Sequence, residues 1–299
     1  MDMLRIADLY KSFGEKEVLR GLDIAVPEHS IYGFIGKNGA GKTTAMKTVL
    51  GLLKPDAGEI TVNGERVVYG QTDTNRFVGY LPDVPEFYPF MTAREYLLFC
   101  GEVTGMKRAE REERAEELLS LVGLGEEKHR IKGFSRGMKQ RLGIAQALLN
   151  RPLLLICDEP TSALDPVGRK EILDILLAVK EQTTVLFSTH ILSDVERICT
   201  DVALLHDGRI AMQGKVDLLK NAHRKELFTV ETVSAAHALS LSGAFPDAVR
   251  TADDTLVFSG GEDRLNDVLQ WIVIHKLSVR RIERAEPSLE SLFLEVIAK

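Results

Sequence analysis

The chain has 299 residues, 44% of them hydrophobic, which is enough for a large α/β core and a second small domain. Its net charge of −6 argues against a protein that coats nucleic acid, which would carry a basic stripe, so no nucleic-acid partner is expected. Cys100, Cys157 and Cys199 are widely spaced and form no C-x-x-C, which implies neither a disulfide framework nor a zinc site and fits a reducing cytoplasm.

In chain order, the opening MDMLRIADLYKSFG lacks the apolar core of a secretory signal. No segment approaches the roughly 18 consecutive apolar residues of a membrane span, so the polypeptide is expected not to cross a membrane itself. Residues 4 to 35 suggest short strands, the last being the apolar Ile31-Tyr32-Gly33-Phe34-Ile35. It runs into Gly36-Lys37-Asn38-Gly39-Ala40-Gly41-Lys42-Thr43-Thr44, a P-loop that fits G-x-x-x-x-G-K-[ST]. A strand thus delivers the chain into a tight turn whose glycines let backbone N–H groups close around a polyphosphate. The helix beginning near Gly41 aims its positive dipole end at the same anion. Lys42 is expected to reach the β and γ phosphates, and Thr43 to place its hydroxyl on Mg²⁺.

Glu59 to Val68 carries Asn63-Gly64 at its centre and reads as a hairpin. After Gly79-Tyr80-Leu81-Pro82-Asp83 the pattern turns helical, with Thr92-Ala93-Arg94-Glu95 a capping box ahead of Tyr96, Leu97, Leu98 and Phe99. The charge run Lys107 to Glu117 reads as a solvated helix face supported by pairs such as Glu110 with Arg114. Phe134-Ser135-Arg136-Gly137-Met138 precedes an apolar-periodic helix, with Ser135 in the N-cap place and hence a second anion-binding helix end. Leu153 to Cys157 is a continuous apolar run of the kind buried on both faces of a parallel sheet, and it ends in Asp158 and Glu159. Carboxylates at the carboxyl end of such a strand sit where open α/β sheets bind ligands. Because successive strand residues point to opposite sides, the two can take different work: Asp158 in the magnesium shell, Glu159 as general base for an attacking water. Beyond the strand Val185-Leu186-Phe187 comes Ser188-Thr189-His190, and the six other histidines carry no motif.

With these motifs in place, residues 4 to 215 resemble the ATP-binding subunits of ABC transporters, whose signature is usually written LSGGQ and here stands as FSRGM. The resemblance makes Ser162-Ala163-Leu164-Asp165 the D-loop and His190 the switch histidine that hydrogen-bonds the γ-phosphate and positions the water. It makes Phe13, with Tyr10 as the alternative, the aromatic that stacks on adenine. It implies that ATP, with Mg²⁺, is held between the P-loop of one copy and Ser135 and Gly137 of a second copy in a head-to-tail homodimer. Asp83 occupies the position of the usual glutamine that contacts Mg²⁺ and senses the transport partner; it keeps an oxygen ligand but is shorter and charged. Arg136 and Met138 also depart from the usual signature. Phe87, Tyr88 and Phe90, just after Asp83, suit either a groove for a short helix of a membrane partner or the core of the helical subdomain.

The implied fold is α/β: a P-loop NTPase core with a flanking antiparallel β subdomain and a helical subdomain at about 84–150, plus a small C-terminal α+β domain. The nucleotide domain is placed at 1–218 and the accessory domain at 219–299. In the latter, Leu227 to Val230 and Leu256 to Phe258 read as strands, Leu265 to Val273 as an amphipathic helix with Trp271 packing, and Glu286 to Leu294 as a closing helix. This ending resembles the extension of ATPases that serve bacterial ABC-2 type exporters. The function implied is an ATP-hydrolysing subunit that powers a separate transmembrane permease from the cytoplasmic face of the membrane. The alternative is a soluble ABC-type regulatory ATPase acting on ribosomes or other protein complexes, against which stands the single P-loop; a small-molecule kinase leaves FSRGM unexplained.

Overall fold

The structure, a computed structural model, describes residues 2–222, 226–284 and 288–297; Glu286 and Pro287 of the expected closing helix lie outside them. The chain divides into two compact units, Met1–Val216 with Val296–Lys299, and Asp217–Glu295.

The first unit opens with β1 (Asp2–Phe13) and β2 (Lys16–Pro27), antiparallel from Asp2↔Pro27 to Phe13↔Lys16. These are not the short strands expected. Each runs 12 residues; Leu4 and Ile6 face Val26 and Ile24 inward by simple alternation, and a register shift between Ile6 and Leu9 precedes the buried Leu9, which pairs with Leu22. β3 (Ile31–Ile35) follows with every side chain buried, then α1 (Lys42–Val49), β4 (Ala57–Val62) and β5 (Glu65–Arg66). The turn at Asn63-Gly64 pairs Val62 with Glu65, so the first sheet runs β2-β1-β4-β5; Val67 and Val68 lie beyond its last strand.

β6 (Val78–Leu81) leads to a helical layer of α2 (Ala93–Val103), α3 (Arg108–Leu121) and α4 (Arg136–Leu148). The capping box forms: Thr92 Oγ1 accepts from the Glu95 N–H at 3.2 Å, and Glu95 Oε2 accepts from the Thr92 N–H at 2.8 Å. Arg114 corrects the reading of α3 as a uniformly solvated face. It is buried, donates to the carbonyls of Leu148 and Leu149 at the end of α4, and pairs with Glu117 at 2.8 Å rather than with Glu110. A cation suits that end, where a helix leaves carbonyls unpaired. At Gly79 a Cβ would collide with the Ala147 carbonyl oxygen, so glycine there lets α4 lie directly on β6.

β7 (Leu154–Cys157), α5 (Pro166–Val179), β8 (Thr184–Thr189), α6 (Leu192–Ile198), β9 (Asp201–His206) and β10 (Arg209–Lys215) complete this unit. Its second sheet runs β10-β9-β3-β8-β7-β6, parallel except for β10. Between the two sheets lies α1, whose Ala45, Met46 and Val49 share one core with Leu4, Leu22 and Ile24 on one side and Tyr32, Phe34 and Leu186 on the other. Each fully buried aliphatic side chain there contributes about 1.5–3 kcal/mol, so the helix that begins at Lys42 is held firmly. Among the described residues no helix is long and apolar enough to cross a membrane.

α7 (Val216–Ala222) spans the boundary between the units. The second unit then runs β11 (Leu227–Thr232), α8 (Ala235–Ala244), β12 (Val249–Ala252), β13 (Thr255–Ser259), α9 (Glu262–Ile274), β14 (Val279–Arg284) and α10 (Leu289–Ile297). Strand order β12-β13-β11-β14 and the βαββαβ sequence make it ferredoxin-like. Phe228 stacks on Phe258 at 5.0 Å, and Trp271 packs edge-on to Phe245 at 6.1 Å.

Candidate functional site

Four neighbouring strands, β3, β8, β7 and β6, end on the same edge of the parallel sheet, and each delivers one part of a cleft. β3 runs into the glycine-rich loop, β8 into His190, β7 into Asp158 and Glu159, and β6 into Asp83. The carboxyl end of a parallel sheet is where such folds bind ligands, because loops and helix N-termini converge there. The cleft, ≈ 510 Å³, is lined by Phe13 and Val18 together with Lys42, Thr43, Asp158, Glu159, Ser162 and His190. Phe13 is 50% exposed and lines it, whereas Tyr10 does not, which separates the two adenine-stacking candidates by position.

The loop geometry follows from its glycines. Gly41 caps α1 with φ 111°, a left-handed conformation, and a Cβ there would meet Leu19 at 2.9 Å. Asn38, Gly39, Gly41, Lys42, Thr43 and Thr44 line the cleft. Gly36, Lys37 and Ala40 do not. Gly36 and Lys37 instead present their carbonyls to Lys42 Nζ at 2.6 and 3.3 Å, while Ala40 packs against the core. The buried lysine is therefore held in place by its own loop.

Lys42 Nζ lies 3.0 Å from Glu159 Oε1, a charge contact without hydrogen-bond alignment, and Glu159 Oε2 lies 2.9 Å from His190 Nδ1. The three expected catalytic side chains thus form one chain. Strand alternation does not separate Asp158 from Glu159. β7 ends at Cys157, and Glu159 takes φ 49°, an uncommon conformation for a non-glycine residue, so both carboxylates reach the same cleft. What distinguishes them is their partners. Asp158, buried, accepts from Thr43 Oγ1 at 2.7 Å and from Ser188 Oγ at 2.7 Å. Burial, and then the charge of Asp158, push the Cys157 thiol well above its ordinary range and the Tyr80 phenol up to about 12, so both flanking groups stay neutral beside the carboxylate.

Thr43, Asp158 and Asp83 present one hydroxyl and two carboxylates toward the cleft. No group of three or more His, Cys, Asp or Glu side chains is arranged around a metal position among the described residues. That oxygen set fits Mg²⁺, which keeps waters and phosphate oxygens and needs only one or two carboxylates from the protein. Asp83 Oδ1 also accepts from Ser162 Oγ at 2.9 Å and pairs with Arg136 at 3.3 Å. Two of the three positions that depart from the usual sequence, Asp83 and Arg136, therefore touch each other.

Ser135, Gly137 and Asp165 are not brought into this cleft. Ser135 Oγ accepts from the Met138 N–H at 3.2 Å and caps α4; Asp165 Oδ1 accepts from the Gly168 N–H at 3.0 Å and caps α5. Ser188 is the residue that sequence reasoning passed over. It bonds Asp158 and accepts the Glu159 N–H at 2.9 Å, tying β8 to the end of β7. Its signal was present in the motif beside His190, but its reach across to β7 depends on the register Cys157↔Phe187.

Comparison with known proteins places these features among relatives. Residues 19–162 match the family model described as "ABC transporter", and residues 214–297 match "ATP-binding protein DrrA1-3-like, C-terminal domain". The chain is 38% identical to an uncharacterized ABC transporter ATP-binding protein, YxlF of Bacillus subtilis, with 99% of each chain covered. It is 37% identical to the bacitracin transport ATP-binding protein BcrA of Bacillus licheniformis, covering 99% of this chain and 97% of that one. A solved ATP binding subunit of an ABC transporter superposes with a TM-score of 0.65 at 34% identity, over 74% of this chain and 92% of that one.

Proposed function

This chain belongs to the ATP-binding proteins of ABC transporters, ATP-hydrolysing subunits that energise a separate permease, and we propose that it serves an exporter as a head-to-tail homodimer at the inner face of the cell membrane. The observation that carries the catalytic reading is the contiguous chain Lys42–Glu159–His190 on a cleft floored by a P-loop. Lys42 faces the β and γ phosphates, Glu159 accepts the proton of the attacking water, and His190 orients Glu159 and that water. Mg²⁺ would be held by Thr43 and Asp158, with Asp83 beside them, and supplies neutralisation of phosphate charge. In this reading Ser135 and Gly137 complete the site of a second copy, which accounts for their place outside their own cleft. The differential affinity of ATP for the paired form supplies the work.

Tyr88 and Phe90 are 48% and 58% exposed and cluster with Phe99, the Tyr88–Phe99 centroids lying 5.6 Å apart. Phe87 turns inward on Tyr96 at 5.1 Å. Tyr88, Phe90 and Phe99 therefore form the docking patch for a short permease helix, and Phe87 anchors it.

Asp83→Ala retains most ATP affinity, because the P-loop and Lys42 are untouched. It loses much of the permease stimulation of hydrolysis, since Asp83 links the cleft to the D-loop through Ser162 and to the signature helix through Arg136. Stimulation measured in reconstituted membranes checks this, and full stimulation in the variant removes Asp83 from the coupling path. Deleting the residues after about 220 leaves ATP affinity intact, since every cleft-lining side chain lies upstream. Calorimetry on the folded truncated chain decides it; a folded chain that does not bind ATP overturns the proposed division at 218/219.

A further inference from the structure

Glu159 and His190 stand on separate loops, one following β7 and one following β8. Their 2.9 Å contact therefore depends on what fixes one loop against the other. Ser188 provides one tie at the strand ends. A second lies farther out. Asp194, in the first turn of α6 and four residues after His190, has a buried carboxylate whose Oδ2 accepts from Thr161 Oγ1 at 2.8 Å. Its Oδ1 accepts from Arg169 of α5 at 2.5 Å. Thr161 is itself buried and comes two residues after Glu159. One carboxylate thus joins the Glu159 loop, α5 and α6, and neither Asp194 nor its two partners line the cleft.

Burial makes this tie specific. A buried carboxylate left with an unmet acceptor, or a buried hydroxyl left with no acceptor, is unfavourable, so the three side chains constrain one another more tightly than an exposed pair could. Thr161 also leads into Ser162, whose hydroxyl donates to Asp83 and accepts from Arg136. The contacts thus run from Asp83 and Arg136 through Ser162 and its neighbour Thr161 to Asp194, four residues after His190.

We propose that Asp194 and Thr161 are positioning residues for hydrolysis, setting Glu159 against His190 without taking part in nucleotide binding; this rests on the roles given above to Glu159 and His190. Neither lines the cleft, and the P-loop's own carbonyls hold Lys42. Loss of the tie therefore lowers kcat and leaves KM in place.

The test uses the full chain with ATP and Mg²⁺, and compares steady-state kinetics, ATP affinity by calorimetry and thermal melting. Thr161→Val keeps the side chain's shape and leaves Asp194 paired with Arg169. It is expected to lower kcat roughly 10- to 100-fold, the scale of a small misplacement of reacting groups, with KM and ATP affinity within about twofold. Thr161→Ser restores the rate. In a His190→Ala background the valine substitution costs nothing more, because the two changes act through one contact. Asp194→Asn, which keeps an acceptor for Thr161 but gives up the charge facing Arg169, loses kcat by a smaller factor and covers the case in which the valine variant does not fold. A folded Thr161→Val or Asp194→Asn chain with the parental kcat overturns the proposal, as does a loss that is equally large in the His190→Ala background. If His190→Ala alone hydrolyses at the parental rate, the role given to His190 fails first and this inference falls with it.

Discussion

Glu159→Gln hydrolyses ATP about 10²- to 10⁴-fold more slowly than the parent while still binding it, since the amide keeps the side chain's size but cannot accept a proton from water. The geometry sharpens the expectation. Glu159 Oε1 faces Lys42 Nζ at 3.0 Å and Oε2 faces His190 Nδ1 at 2.9 Å, so a neutral amide removes a charge that competes with phosphate for the lysine. ATP affinity is therefore at least parental. With hydrolysis blocked, the variant accumulates as an ATP-bound dimer, whereas the parent with ATP and Mg²⁺ stays monomeric or in exchange. Size-exclusion chromatography with light scattering, run beside a phosphate-release assay, reads both effects. Parental turnover removes Glu159 from the base role; slow turnover without dimers undercuts the head-to-tail clamp.

Lys42→Ala loses binding as well as turnover. Its ammonium is buried, held by the Gly36 and Lys37 carbonyls and faced by Glu159, so it is a fixed positive charge in a cleft that three carboxylates also line. Without it, Glu159, Asp158 and Asp83 face an incoming polyanion with Lys16 as the one other lysine among the lining residues. A charge-assisted contact of about 1.5–3 kcal/mol corresponds to a loss of roughly 10- to 100-fold in affinity. Calorimetry with Mg²⁺ measures it, and normal ATP affinity in the variant rejects the P-loop assignment.

Much of the second unit was illegible as sequence, for a reason that lies in its sheet. β11 and β13 are central strands with alternate residues buried, and both were expected. β12 and β14 are the two edges. β12 has all four residues exposed, and β14 buries no side chain fully, so neither shows a two-residue period. α8 is built of small residues and serines around the buried Ala238 and Leu241, too weak a stripe to read as a helix. In the first unit the long β1–β2 ribbon was underestimated because its register shifts break the alternation that marks a strand.

The sequence by itself determined whatever is local: the glycine turn before Lys42, the caps at Thr92 and Ser135, and the apolar run that must end at Asp158. In each of these the interacting groups lie within a few residues, so backbone geometry and side-chain chemistry fix the outcome wherever the segment is placed. Only the tertiary structure decided which distant residues meet. Thr43 bonds Asp158 across 115 positions, Asp83 finds Ser162 across 79, and Thr161 finds Asp194 across 33. Thr43 and Asp158 are linked in the sequence only through the magnesium that both are expected to hold, and the other two pairs carry no mark, because what brings them together is the order β3-β8-β7-β6. That order is set by the burial of whole apolar strands, and it gathers the loops at one edge of the sheet regardless of their separation along the chain.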